Sequence, residues 1–147
     1  MRTLFACAAA FAIVSSGAEA SETLKAVVAP YLEVQAQLAA DKVDGIKASA
    51  AAISTAASSL GKPGEAIVEA AKALERAADL EVAREAFGPL SDAVIAAAKA
   101  EGWTGLDDVK VAFCPMVNRS WLQKGEKIRN PFYGSAMLTC GEIKGKF

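Results

Sequence analysis

The stretch from residue 21 to residue 101 constrains the fold most, because its apolar residues recur at steps of three and four. It is also rich in Ala, Glu, Lys and Leu, which have high helix propensity. Apolar side chains at this spacing share one face of a helix. Four helices are therefore predicted, over residues 22–41, 44–60, 63–77 and 79–101. Their apolar faces are Leu24, Val27, Val28, Tyr31 and Leu38; Ile46, Ala50, Ile53, Ala57 and Leu60; Ile67, Ala71, Leu74 and Ala78; and Ala83, Phe87, Leu90, Val94 and Ala97.

The connections between these segments predict how the helices are arranged. Pro30 indicates either that the first helix begins there or that it kinks, and Pro89 should bend the fourth helix. Short connections favour antiparallel neighbours. The predicted fold class is therefore all-α, an up-and-down four-helix bundle in which the Ala-rich faces let the helices approach closely.

Residues 103–147 have a different character and form the C-terminal segment of the predicted domain. Residues 109–113 alternate in polarity, which predicts a short strand that leads directly to Cys114. Residues 115–134 carry Asn, Gly, Pro and aromatic residues without a sustained period, which is typical of ordered loop and turn. The bundle is thus expected to carry an irregular segment with one or two short strands.

Residues 1–20 have the features of a secretory signal peptide. Arg2 precedes an apolar run over residues 4–14, and the run is followed by the small-residue site Ala18-Glu19-Ala20. The run is too short to span a bilayer, and no later apolar stretch is long enough either. Residues 21–147 are therefore predicted to form a single periplasmic domain without a membrane span, in a compartment where disulfides persist.

The charge balance argues against a nucleic-acid partner. The chain has a net charge of −1, and loss of the signal peptide removes one basic and one acidic residue. Binding to a phosphate backbone requires a surplus of Lys and Arg.

All sulfur atoms that remain after signal-peptide removal lie in two short motifs, Cys114-Pro115-Met116 and Met137-Leu138-Thr139-Cys140. The chain has no His, so thiolate and thioether are its soft donors, and these suit Cu(I) or Ag(I) rather than a hard cation. If the motifs converge, Cys114, Met116, Met137 and Cys140 form a two-thiolate, two-thioether metal site. One hypothesis for Trp121 is that its indole face shields the bound cation. The favoured interpretation of Trp121, Phe132 and Tyr133 is that they pack the loop onto the bundle.

A structural disulfide is the alternative interpretation of the same two cysteines. Two Cys residues in a secreted domain most often form a disulfide bond. The two Met residues beside them favour metal binding, because Met in a core is normally scattered as a gap filler. The two states are also compatible, since a reduced pair would bind metal and an oxidised pair would be the resting form.

Several blocks of the chain resemble a family of periplasmic helical domains of unknown function. The blocks are residues 31–41, 87–91, 113–116, 121–122, 128–134 and 137–141, and the most specific motifs are C-P-M at 114–116 and N-P-F-Y-G-x-x-M-L-x-C-G at 130–141. In that family the domain occurs alone after a signal peptide or joined to the adaptor subunit of copper and silver efflux systems. The resemblance implies heavy-metal handling in the cell envelope, an efflux adaptor or other envelope protein as partner, and a supporting role for Trp121, Asn130 and Tyr133 around the metal. Phe132 stands where Tyr is common in the motif.

Enzymatic functions are not indicated. Without His there is no side chain whose ordinary pKa suits a general base near neutral pH, and the C-x-x-C pattern of thiol oxidoreductases is absent. The acidic residues, such as Glu81 and Glu85 around Arg84, are interpreted as solvated helix faces with local ion pairs.

The sequence therefore predicts a non-enzymatic periplasmic protein that binds Cu(I) or Ag(I) and sequesters it or delivers it to an efflux system. The alternative is a disulfide-stapled envelope interaction module without metal. A third hypothesis is that the Ala-rich helices serve mainly to pack against partner helices or further copies of the chain. The sequence leaves the oligomeric state open.

Overall fold

The computed structural model describes residues 16–145. Residues 1–15, which contain most of the predicted signal peptide, and residues 146–147 lie outside the described residues. The elements, in chain order, are α1 (Ser16–Ala39), α2 (Ile46–Ala57), α3 (Lys62–Glu75), α4 (Leu80–Ala100), β1 (Val109–Cys114), β2 (Arg119–Lys124) and β3 (Glu142–Gly145), with short 3-10 turns at Ser58–Leu60 and Gly134–Ala136.

The four helices pack on the apolar faces that the sequence pattern predicts, except that Ala78 lies beyond the end of α3 and is exposed, and Leu60 is only partly buried. Each helix packs against the next in sequence, and α1 also contacts α4. Small residues on the facing sides, such as Ala50 and Ala71, are fully buried and leave room for larger neighbours. Asp79 begins α4 by accepting a hydrogen bond from the backbone N–H of Val82, which satisfies one of the free donors of the first turn.

Pro30 neither starts nor ends a helix, because α1 runs through it from Ser16 to Ala39. Proline lacks the N–H group that would bond to the preceding turn. The loss is tolerated because Val27 and Tyr31, on either side of Pro30, are fully buried and hold both halves of the helix to the core. Pro89 likewise lies inside α4.

The prediction of an all-α bundle is wrong, because the fold is mixed α/β and includes a three-stranded antiparallel sheet with strand order β2-β1-β3. The predicted strand at 109–113 is present as β1. The prediction of loop and turn over residues 115–134 fails at β2, which pairs with β1 from Cys114 opposite Arg119 to Val109 opposite Lys124.

The reason for this error lies in the burial of β2. Trp121, Leu122 and Gln123 are three consecutive buried residues, so the strand lacks the alternation by which a half-buried strand is recognised. The hairpin turn gives only a weak signal, since it is a four-residue connection in which Asn118 adopts a left-handed conformation with φ 52°. Asn tolerates this conformation better than most residues.

The sheet is attached to the helices through β2, which packs against α4 and α1. The Tyr31 hydroxyl lies at this junction, 2.6 Å from the Ser91 hydroxyl, and it accepts a hydrogen bond of 3.1 Å from the backbone N–H of Leu122. Burial raises the pKa of Tyr31 well above its ordinary value. Tyr31 therefore acts as a neutral hydrogen-bonding link between α1, α4 and the sheet.

Over residues 16–145, no helix is both long enough and apolar enough to cross a membrane.

Candidate functional site

The sheet brings the two predicted cysteines together. Cys114 is the last residue of β1, and Cys140 lies two residues before β3, which pairs with β1 through Phe113 opposite Glu142. The two Sγ atoms are 2.6 Å apart, although the residues are 26 positions apart in the chain. This distance is longer than an S–S bond, which is about 2.05 Å. It is shorter than the roughly 3.5–4.0 Å between two carbon atoms in van der Waals contact, although sulfur is larger than carbon. The pair therefore needs only a small displacement to form a disulfide.

Gly141 allows the Cys140 segment to approach β1 this closely. Its φ is +134°, and a Cβ atom there would lie 2.9 Å from the Phe113 carbonyl oxygen and 3.0 Å from Cη2 of Trp121. Residues with a side chain rarely adopt this conformation, and the strand backbone cannot move aside. The glycine of the C-G pair is thus part of what sets the distance between the two sulfurs.

The two thiols differ in exposure and in protonation. Cys114 is fully buried, whereas Cys140 is partly exposed. Burial acts to raise the pKa of Cys114, but a hydrogen bond from Cys140 and further ones from backbone N–H groups of the following turn outweigh it, so the pKa lies below its ordinary value. The same contact with Cys114, together with burial, raises the pKa of Cys140. Of the two thiols in the reduced pair, Cys114 is therefore the one that loses its proton first.

The two methionines are placed differently. The side chain of Met116 is 68% exposed, while its backbone N–H lies within hydrogen-bonding reach of both cysteine sulfurs. Met137 is partly buried, and its carbonyl accepts a 3.0 Å hydrogen bond from the Cys140 N–H. The structure thus brings both thiols and the Met116 backbone together, and it leaves Met116 exposed.

Asn130 fixes the loop that carries Cys140. It is fully buried, its side-chain amide donates to the Cys140 carbonyl at 2.9 Å, and its oxygen accepts from the backbone N–H of Phe132 at 2.8 Å and of Tyr133 at 3.3 Å. The amide also lies within hydrogen-bonding reach of the Cys114 sulfur. A single side chain therefore connects the N-P-F-Y-G motif to both cysteines.

Trp121 and Phe132 join this loop to the helices through a row of aromatic rings. Trp121 is fully buried, with its centroid 6.0 Å from that of Phe132 in an edge-to-face arrangement. Phe132 lies 5.7 Å from Phe87 of α4, which stacks at 5.0 Å on Tyr31 of α1. The Trp121 indole N–H donates to Gln123 at 3.0 Å, so the polar part of this side chain has a partner within the sheet.

A group of residues that the sequence analysis did not assign to the site also holds the loop. Arg84 donates to the carbonyls of Pro131 and Leu38, each at 2.9 Å, and to Asp41 at 2.6 Å. Asp41 in turn accepts from the backbone N–H of Ser135 at 3.0 Å. Glu81 and Glu85 are exposed, as predicted, whereas the Arg84 side chain between them is only 19% exposed and bonds across the fold to Asp41.

The sequence contains one indication of the contact between Arg84 and Asp41, but this indication is not enough to predict it. Asp41 ends the first of the blocks that carry the family resemblance, and Gly134, whose φ is +54°, lies so close to Asp41 and Arg84 that a Cβ atom would collide with both. Local spacing alone pairs Arg84 with the glutamates on its own helix. Only the fold places Asp41 beside it.

The Asp41 carboxylate should make stability depend on pH. Hydrogen bonds from Ser135 and Arg84 lower the pKa of Asp41 from 3.8 to about 2. A carboxyl group with a depressed folded-state pKa stabilises the fold above its unfolded pKa, and this contribution is lost as pH falls through about 4 toward 2. Asp41→Asn should therefore unfold at lower temperature than the wild type near neutral pH, and the two should converge near pH 2.

Thermal unfolding followed by circular dichroism over this pH range tests the expectation. Asp44→Asn, which changes an exposed carboxylate in the loop before α2, is the matched control for the loss of one negative charge. A constant offset between Asp41→Asn and the wild type across this pH range would contradict the assignment.

A cleft of about 630 Å³ opens between the start of α4 and the β1–β2 turn. Its apolar lining comes from Leu80, Val117 and Phe132, and its charged lining comes from Glu81, Glu85, Arg84 and Arg119. Val117 lies in the turn that follows Cys114, so this turn connects the cleft to the end of β1.

Within residues 16–145 no group of three or more His, Cys, Asp or Glu side chains is placed to hold a metal ion. A metal at this site would therefore depend on the two thiols and on thioether donors. The chain matches no family model, no curated protein and no solved structure.

Proposed function

We propose that the reduced protein binds a soft monovalent cation, Cu(I) or Ag(I), through Cys114 and Cys140. The ion is cargo that the protein sequesters in the cell envelope or passes to an efflux adaptor or another envelope protein. The observation that carries this proposal is that two distant segments place their thiols 2.6 Å apart, and that the exposed residue Met116 lies two positions after Cys114.

The donor chemistry supports a soft ion. Thiolate and thioether groups select Cu(I) over hard cations, which prefer oxygen ligands. A large apolar side chain that is 68% exposed, such as Met116, gains little stability from its position, but it can supply a third donor to an ion held at the thiols. Met137 lies one turn before Cys140 and is the fourth candidate donor.

The present sulfur separation defines what metal loading requires. Two thiolates that share an ion are separated by two metal–sulfur bonds of roughly 2.3 Å each, if zinc is taken as a guide. Sulfurs 2.6 Å apart must therefore separate when the ion enters. Cys140 is the partly exposed member of the pair and directly follows the turn at residues 138–139, so we expect its segment to make this movement while Cys114 stays fixed in β1.

Two features of the sequence support the envelope location and the partner. The predicted signal peptide directs the domain to an oxidising compartment. The resemblance of the C-P-M and M-L-x-C-G motifs to domains joined to copper and silver efflux adaptors favours an efflux partner.

An anaerobic Cu(I) titration of the reduced protein against a competing chelator tests the proposal. The wild type should bind one ion, and Cys114→Ser and Cys140→Ser should each lose competitive binding. Met116→Ala should weaken binding by about tenfold, which corresponds to roughly 1.4 kcal/mol, and Met137→Ala reports whether the second thioether takes part. Val82→Ala, at another exposed apolar residue, is the control for loss of surface apolar area.

The outcomes separate the parts of the proposal. If reduced wild type fails to compete with the chelator, metal binding is wrong. If the serine variants lose binding but both methionine variants bind as the wild type does, the ion is held by the thiols without thioether donors.

A second function, a disulfide-stapled interaction module without metal, is favoured by the closeness of the sulfurs themselves. In that case the cysteine pair would fix the loop over residues 115–139, and the adjoining cleft would keep its shape for a partner. Intact mass of protein isolated from the cell envelope under thiol-trapping conditions distinguishes the two. An oxidised pair that is never metal-loaded supports the staple.

A further inference from the structure

The cysteine pair has an asymmetry that metal binding does not require. Cys114 is 0% exposed and lies at the end of the central strand, whereas Cys140 is a partly exposed residue. In the oxidised protein, an external thiol would therefore reach the disulfide at Cys140. Attack at Cys114 would first require local opening of the sheet.

Hydrogen-bond donors surround the buried sulfur. The backbone N–H groups of Met116 and Val117 and the side-chain amide of Asn130 all lie within hydrogen-bonding reach of the Cys114 sulfur. Asn130 is held in place by its own bonds to the Cys140 carbonyl and to the Phe132 N–H. Donors fixed in this way stabilise negative charge that develops on the sulfur, without reorganisation when the charge appears.

We propose that the Cys114–Cys140 disulfide undergoes thiol–disulfide exchange with external thiols, with Cys140 as the sulfur that is attacked and Cys114 as the leaving group. An external thiolate forms a bond to the Cys140 sulfur, the S–S bond breaks, and its electron pair stays on the Cys114 sulfur, which becomes a buried thiolate. The product is a mixed disulfide between Cys140 and the external thiol.

The mixed disulfide can react further in two ways, and neither requires another class of reagent. A second thiolate can attack the external sulfur of the mixed disulfide, which releases an oxidised thiol pair and leaves the protein dithiol. Alternatively the Cys114 thiolate attacks Cys140 and expels the external thiolate, which restores the disulfide. Exchange proceeds through a mixed disulfide in either direction, so a small disulfide oxidises the reduced protein by the reverse route.

This activity goes beyond the proposed metal binding and does not depend on it. The residues that support it, Asn130 and the N–H groups of the turn, act on sulfur whether or not a cation is ever bound. In this exchange, Cys140 is the residue to which a thiol-bearing partner, either a small thiol or a protein dithiol, becomes covalently attached.

The test uses the domain without metal and glutathione as the probe. Oxidised wild type is mixed with reduced glutathione, quenched by acid and digested, and the adduct is located by mass spectrometry. We expect glutathione on Cys140. In the reverse direction, Cys114→Ser and Cys140→Ser are each treated with oxidised glutathione. Cys114, the single cysteine of the second variant, should react at least about tenfold more slowly than Cys140 in the first, because a fully buried thiol reacts only through openings of the fold.

The same variants in denaturant supply the control. Once the chain is unfolded, both single cysteines should react at similar rates. Any difference between their rates in the native state is therefore caused by the fold. Adducts on Cys114, equal native rates, or a native disulfide that opens only in denaturant would each overturn the proposal. A failed metal titration would leave it standing, since no arm of the experiment contains metal.

Discussion

Replacing Trp121 with alanine should lower the free energy of unfolding by about 3–5 kcal/mol, the range found when a buried Trp or Phe is truncated. Trp121 is fully buried in β2, its ring lies against Phe132, and its indole N–H bonds to the buried side chain of Gln123. Truncation leaves a cavity between the sheet and the C-terminal loop and removes one partner from Gln123. Urea unfolding followed by circular dichroism measures the loss.

Two controls make this prediction specific. Trp121→Phe keeps an aromatic ring and should recover part of the loss. Val43→Ala, at a side chain that is 42% exposed, should change stability by no more than about 0.5 kcal/mol. A loss below about 1 kcal/mol for Trp121→Ala, the size of an average substitution, would mean that the loop does not depend on the aromatic row for its position.

Oxidising the cysteine pair should raise the free energy of unfolding by about 3–4 kcal/mol, because the crosslink limits the unfolded chain. The two residues are separated by 26 positions, and the entropy of closing a loop of that length gives this magnitude. Since the sulfurs already lie 2.6 Å apart, little of the gain should be lost to strain in the folded state. Paired urea titrations of oxidised and reduced protein measure the difference.

The double variant with Ser at 114 and 140 is the control for this comparison, because its stability should be independent of redox conditions. An oxidised protein no more stable than the reduced one would show that the folded state must distort to close the bond. That outcome would weaken the disulfide-stapled alternative and would leave metal binding by the reduced pair as the better supported function.

The helices could be predicted because their signal is local. An apolar residue at every third or fourth position specifies both the helix and the face that becomes buried, and the predicted face of α4, from Ala83 to Ala97, is buried in the structure. Pro30 shows the limit of such rules, since tertiary packing keeps α1 continuous through a residue that locally disfavours helix.

The sheet could be predicted only in part. β1 alternates, whereas β2 is buried over three consecutive residues and β3 spans only Glu142–Gly145. Strand pairing depends on backbone hydrogen bonds between segments that are distant in the chain, and these bonds leave no periodic pattern in a short, buried strand. The contact between Arg84 and Asp41 could not be predicted for a similar reason, because the two residues are distant in the chain and their contact leaves no local pattern in the sequence.

For the candidate site, the sequence by itself determined the chemistry. It supplies two Cys and two Met in two motifs, no His, and a glycine directly after Cys140. The tertiary structure decided the geometry, because the pairing of β3 with β1 brings the two thiols together. Cys114 is buried and Cys140 is partly exposed, so the two thiols are not equivalent. Asn130 connects the C-terminal loop to both cysteines. Donor type is a property of single residues, but distance and exposure arise only when distant segments pack together.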